Sequence, residues 1–224
     1  MNFEEKREKL VESLKNRAIL TDPEVIRAML TVPRHKFVPK DAESSAYLDT
    51  PLSIGMEQTI SAPHMNAMMC QYLELKEGDK VLEVGTGSGY HAALCAELVA
   101  PKDSKNPGHV YTIERHKELV KIAITNLQNA GYEDCVTVIH GDGTMGYSKE
   151  APYDKILVTA ASPKKVPPPL REQLNDNGIL CIPAGSKNFG QDLYVLMKQG
   201  KSFEEKRITG VRFVPLIGKY GFES

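Results

Sequence analysis

Four short stretches of this chain gather side chains that can do chemistry. In VLEVGTGSGYHAAL, Glu83 lies inside an apolar run, and Gly85, Thr86, Gly87 and Gly89 follow it. Glycines at such a turn take backbone angles closed to other residues and let a ligand approach the main chain. Glu114 and Arg115 end HVYTIER, and Asp142 and Gly143 follow the apolar CVTVIH. The fourth stretch, QTISAPHM, crowds Thr59, Ser61 and His64 into one turn-like segment. Ser61, Ala62 and Pro63 read as a helix start, with Ser61 as the capping hydroxyl and Pro63 in the first turn. Taken alone, Ser61 reads as a cap; a helix start also exposes unpaired backbone amides, so the same segment can present donors to an anionic group.

The glycine spacing alone leaves the ligand open. Gly87, Gly89 and Ala92 satisfy GxGxxA, the loose dinucleotide pattern, which keeps an NAD-dependent oxidoreductase in view. Glu83 points elsewhere, because an acid on the strand repels a pyrophosphate and suits a ligand with a positive group. Glu114, at the end of the second strand, can accept hydrogen bonds from both ribose hydroxyls. Asp142 falls on the same rim after the third. Three acids, with no Arg or Lys in the glycine loop, fit a nucleoside that carries a cation and no phosphate. S-adenosylmethionine is such a ligand. Its enzymes also act on small molecules and RNA bases, and a non-catalytic adaptor could keep the fold.

Strand–helix alternation must position these residues. Apolar runs at 80–84, 109–114, 135–140, 153–160 and 179–184 read as strands, with helices between them. Repeated β-α-β units imply an α/β fold, a doubly wound and mostly parallel sheet. Consecutive antiparallel strands are expected in DLYVLMKQ and from Lys206 to Leu216. The helix opened by PPPLREQL is expected to end at Gly178. Ahead of this core, two amphipathic helices are expected, the second capped by Asp22 with Pro23 at its first position. Residues 31–60 read as irregular, followed by a helix over about 63–74. The chain is thus expected to be one domain, an extension over 1–75 on a core over 76–224.

The totals exclude several classes. In 224 residues, 28 Lys and Arg balance 29 Asp and Glu for a net charge of -1. No basic footprint for nucleic acid or anionic membrane is present. The longest apolar runs are too short to span a bilayer. MNFEEKREKL is charged where an export signal needs an apolar core, so a cytoplasmic protein is expected. Cys70, Cys95, Cys135 and Cys181 form no CxxC pair and read as buried free thiols. The histidines show no HxxxH or HxH spacing, and no metal site is expected.

The motifs now assembled resemble those of the protein-L-isoaspartate (D-aspartate) O-methyltransferases, from about residue 20 to Leu216. VLEVGTGSGY, YTIER, GDGTMGYSKEAPYDKILVTAA and LREQLNDNGILCIPAG match successive methyltransferase motifs. YLDTPLSIGMEQTISAPHM resembles the segment peculiar to this family. The resemblance implies a Rossmann-like enzyme that carries a methyl group from S-adenosylmethionine to the free α-carboxylate of L-isoaspartyl residues, and less well to D-aspartyl ones. Collapse of the ester to a succinimide then begins repair of damaged proteins. The implied active-site residue is Ser61. The implied cofactor contacts are Thr59, Ile60, Asn66, Glu83, Gly85, Thr86, Gly87, Gly89, Glu114, Arg115, Asp142 and Gly143. His64, Val214 and Pro215 are the candidate substrate contacts. Asn66 stands where some members have His, and Ile217 where some have a polar residue. The implied partners are isoaspartyl proteins and peptides, with a monomer expected and neither nucleic acid nor membrane.

Overall fold

The computed structural model describes residues 1–163, 166–187 and 190–223. Helix α1 (Phe3–Asn16) opens with a capping box between Asn2 and Glu5. The Asp22 carboxylate accepts the Glu24 and Val25 amides at the start of α2 (Pro23–Thr31). Each presents one apolar face inward, Leu10, Val11 and Leu14 from α1 and Val25, Ala28 and Met29 from α2.

Residues 31–60 are more regular than their composition suggests. After two short 3-10 turns, β1 (Leu52–Gly55) and β2 (Gln58–Ile60) form an antiparallel hairpin. Its two turn residues, Met56 and Glu57, both have positive φ, 51° and 57°. Such turns favour Asn-Gly or Asp-Gly, so Met-Glu hid the hairpin. The hairpin delivers Thr59 and Ile60 directly to Ser61 and α3 (Pro63–Leu73).

The core alternates β3 (Lys80–Val84), α4 (Tyr90–Val99), β4 (His109–Glu114), α5 (Lys117–Ala130), β5 (Val136–His140), β6 (Tyr153–Val158), α6 (Pro168–Gln173) and β7 (Leu174–Gly185). Then come β8 (Gln191–Gln199) and β9 (Ser202–Val211), and the strand order is β5-β4-β3-β6-β7-β8-β9. Strands β3 to β7 pair in parallel, while β8 and β9 are antiparallel additions. From β3 the chain moves outward through β4 and β5, then crosses to β6 on the other side. Ligands of open α/β sheets bind at such a reversal, outside the strands' carboxyl ends. One buried cluster runs from Leu14 and Met29 through Leu94 to Leu193, and a second covers the other face from Leu82 and Ile156 to Leu170. Among the described residues, no helix is long and apolar enough to cross a membrane.

Two boundaries differ from expectation. Gly178 does not end a helix, because α6 stops at Gln173 and β7 begins at once. Tyr153 pairs with Leu174 and Lys155 with Ile179, so residues 175–178 bulge out of the ladder. The turn-forming NDNG signal makes that bulge, with Asn177 at φ 60°. The last strand covers Ser202–Val211 rather than 206–216. Beyond Val211, the Phe213 amide donates to the Gln191 side chain at 2.6 Å, and Pro215 has no amide to donate. Residues 212–216 leave the sheet edge and pair instead with Ala161, which donates to Val214 O and accepts from the Leu216 amide.

Candidate active site

The loop between β3 and α4 is held from three sides. Gly85 and Gly87 have φ of 99° and 54°. A Cβ on Gly85 would stand 2.3 Å from Thr159 Oγ1, and that hydroxyl donates to Gly85 O at 2.6 Å. From β4, Glu114 accepts the Gly87 amide at 3.0 Å on one oxygen and the His116 amide at 2.9 Å on the other. These bonds hold the carboxylate at the cavity wall and leave further lone pairs for a ligand. Beneath the loop, Thr86 and Thr112 share a 2.7 Å hydroxyl contact, and Thr112 donates to Glu83 at 2.5 Å.

Glu83 is fully buried, and its other oxygen, Oε1, has no hydrogen-bond partner. Burial raises its pKa from the ordinary 4.5 to about 7, against the opposing pull of His91 and Thr112. The folded chain therefore holds a proton that the unfolded chain has lost between those values, and this contribution to stability falls as pH rises through that window. Glu83→Gln is expected to raise the ligand-free stability at pH 8 by up to about 3 kcal/mol and to change little near pH 4.5. Urea unfolding at the two pH values checks this, and a less stable variant at pH 8 would contradict it.

The Ser61 side is organised differently from the sequence expectation. The cap position of α3 is Ala62, with no side-chain cap bond. Asp49 takes that role from a distant segment, accepting the His64 amide at 2.9 Å. The Ser61 hydroxyl makes no hydrogen bond to any described residue, and Arg34 grips its carbonyl at 2.7 Å. Asp49 also accepts from His64 Nδ1 at 2.8 Å and pairs with Arg17 at 2.7 Å. Burial pushes Asp49 up, but Arg17 and His64 outweigh it and hold the carboxyl below its usual range. The His64 ring is thus fixed, with its body on the groove.

Three recesses meet around these residues. A cleft of about 540 Å³ is lined by Thr59, Gly85, Gly87, Glu114, Arg115 and Gly143, and is closed by Val214, Pro215, Leu216 and Ile217. A wider groove is lined by Ser61, His64, Gln191 and Arg212–Val214. A smaller recess between them is lined by Ile60, Ser61, Asn66, Thr86 and Ser88. Thr59 and Thr159 border all three.

Glu83, Gly89 and Asp142 are not brought to these walls. Glu83 supports the loop from below. Gly89 starts α4 and lets Leu127 approach, where a Cβ would sit 3.2 Å from Leu127 Cγ. Asp142 accepts from the Thr144 amide and from the Lys219 amide at 2.8 Å. It pins the C-terminal segment that closes the cleft. Arg34, Asp49, Ser88 and Thr159 were not singled out in the sequence. Ser88 Oγ is buried and unpartnered at the recess, a donor awaiting a ligand. All four cysteines are free thiols; Cys70, Cys95 and Cys181 are buried as expected and Cys135 is only half-buried, while Cys70 and Cys95 converge with His91.

Comparison with known proteins agrees with this geometry. The family model for protein-L-isoaspartate(D-aspartate) O-methyltransferase matches residues 5–221. The chain is 54% identical over 224 residues to the protein-L-isoaspartate O-methyltransferase of Hyperthermus butylicus, covering 98% of this chain and 92% of that one. It is 53% identical over 218 residues to that of Methanothrix thermoacetophila, covering 97% and 98%. A solved protein-L-isoaspartate O-methyltransferase superposes with a TM-score of 0.85 at 29% identity, covering 96% of this chain and 67% of that one. A Plasmodium falciparum structure described as a protein-L-isoaspartate O-methyltransferase, in complex with S-adenosyl-L-homocysteine, gives 0.83 at 32% identity and covers 97% and 99%. With the glycine loop, Glu114 and the Ser61 segment in one site, the chain belongs to the protein-L-isoaspartate(D-aspartate) O-methyltransferase family.

Proposed function

We propose that this chain methylates the free α-carboxylate of L-isoaspartyl residues, and less readily D-aspartyl residues, in damaged proteins, using S-adenosylmethionine. The observation that carries the reading is the meeting of cleft and groove at Thr59 and Thr159, with the unbonded Ser61 hydroxyl on the groove side. Bound S-adenosylmethionine would supply an electrophilic methyl group. The residues present fit it: Gly85 and Gly87 leave the main chain open, and Glu114 faces the cleft for the ribose hydroxyls. Asn66, Ser88 and Thr86 offer polar atoms along the inner recess.

A carboxylate of ordinary pKa near ~4 is already ionised at neutral pH, so the acceptor needs no general base. The chain's task is positioning. Ser61 Oγ donates a hydrogen bond that turns one carboxylate oxygen toward the cleft, and Val214 to Ile217 exclude water from the line of transfer. Placement of this kind is worth up to about 7–11 kcal/mol. The main chain at 212–214 borders the groove outside the sheet ladder, where it can read the backbone around an isoaspartate.

Isoaspartyl and aspartyl versions of one peptide, incubated with methyl-labelled S-adenosylmethionine, test the reading. Label on the isoaspartyl peptide alone is expected, and equal label on both, or none, would overturn it. Glu114→Ala is expected to raise KM for S-adenosylmethionine about tenfold, consistent with a lost charged hydrogen-bond partner. KM for the peptide should hardly change. The near-neutral charge supports a protein without nucleic-acid or anionic-membrane partners. The continuous buried cluster from Leu14 to Leu193 supports one domain over 1–224.

A further inference from the structure

Behind the inner recess lies a second cluster of reactive side chains that methyl transfer does not use. Cys70 lies on α3, and His91 and Cys95 lie one turn apart on the facing side of α4, so all three project into one space. Their ligand atoms fall within 4.8 Å of one another, with Cys70 Sγ 3.4 Å from His91 Nε2. All three residues are buried. Two sulfurs and an imidazole nitrogen on rigid helices form a donor set that selects soft, thiophilic cations over oxygen-seeking calcium or magnesium.

We propose that Cys70, His91 and Cys95 form a zinc site that clamps α3 to α4. Charge selects the ion. Two thiolates neutralise a divalent cation, whereas copper(I) would leave a net negative charge buried in an apolar core. On binding, each thiol gives up its proton to solvent and forms a sulfur–zinc bond, with no oxidation. His91 lines the inner recess and its Nδ1 is unpartnered, so the ring stands between that recess and the sulfurs and marks the route of entry. Glu83 interacts electrostatically with all three groups, and its Oε1, like His91 Nδ1, is buried without a hydrogen-bond partner. The clamp would tie the helix that follows Ser61 to the helix that follows the glycine loop.

The test is titration of the full-length, ligand-free protein with cobalt(II) under a phosphine reductant, followed by zinc(II). Thiolate-to-cobalt charge-transfer bands are expected to saturate at one ion per chain and to bleach on zinc addition. They should vanish in Cys70→Ser and Cys95→Ser and persist in Cys135→Ser and Cys181→Ser. Zinc should raise the thermal midpoint of the wild type only where the bands form. A folded wild type without these bands, or bands that survive Cys70→Ser, would overturn the site. X-ray absorption at the zinc edge needs no variant: two sulfur neighbours are expected, and a shell of nitrogen and oxygen alone rejects the proposal.

Discussion

Ser61→Ala is expected to lower kcat/KM on an isoaspartyl peptide by about 100-fold, the scale of a misplaced reacting group. KM for S-adenosylmethionine and the thermal midpoint should change little. The reason is local. Ala62, not Ser61, holds the cap position of α3, and Asp49 satisfies the His64 amide from outside the helix. Removing the Ser61 hydroxyl therefore frays nothing. A capping serine would instead show a stability loss of about 1 kcal/mol on the same substitution. Steady-state kinetics and thermal unfolding on one preparation separate the two roles. Full activity in the variant would remove Ser61 from the orienting role, and a clear fall in midpoint would return it to the helix.

Arg34→Ala is expected to cost about 4 kcal/mol of stability, the scale of a core truncation that also strands buried acceptors. The guanidinium is fully buried and donates to Ala46 O at 2.9 Å, Asn66 Oδ1 at 3.2 Å and Ser61 O at 2.7 Å. It also lies over the Tyr90 ring, 4.8 Å from its centre. Alanine would strand three acceptors and leave a cavity. Arg34→Lys keeps the charge but cannot fork to three acceptors, so an intermediate loss is expected together with a lower kcat/KM. Urea unfolding measures the first effect. A loss below about 1 kcal/mol in Arg34→Ala, no more than an ordinary surface change, would show that the network is not structural.

The legible parts of the site were those with a local cause. Gly85 and Gly87 follow an apolar strand and precede a helix, and the glycines are required by backbone angles that the turn itself imposes. Glu114 could be placed on the rim because it ends a strand whose alternation is visible. Asp22 and Pro23 mark their own helix start. The hairpin before Ser61 was not legible, because its Met56-Glu57 turn takes left-handed angles without the residues that usually signal them. Gly178 misled for the opposite reason: a turn signal was absorbed as a bulge within β7.

Other roles depend on partners far along the chain. Nothing distinguishes Arg34 among 28 basic residues until folding sets it under Ser61 and Asn66. The four-residue spacing of His91 and Cys95 puts them on one helix face, but Cys70 joins them only because α3 packs beside α4. Asp142 was legible as a rim acid, yet its carboxylate turns to the Lys219 amide, 77 residues away.

The sequence by itself determined the order of strands and helices in the core from β3 onward, the glycine loop and the acid at the end of β4, because periodicity and backbone angles act over a few residues. Tertiary structure alone decided that the Ser61 hydroxyl is not spent on a cap, that Asp49 caps in its place and that Asp142 fastens the closing segment. Hydrogen bonds between segments distant in sequence make those assignments, and only the packed fold brings their donors and acceptors within reach.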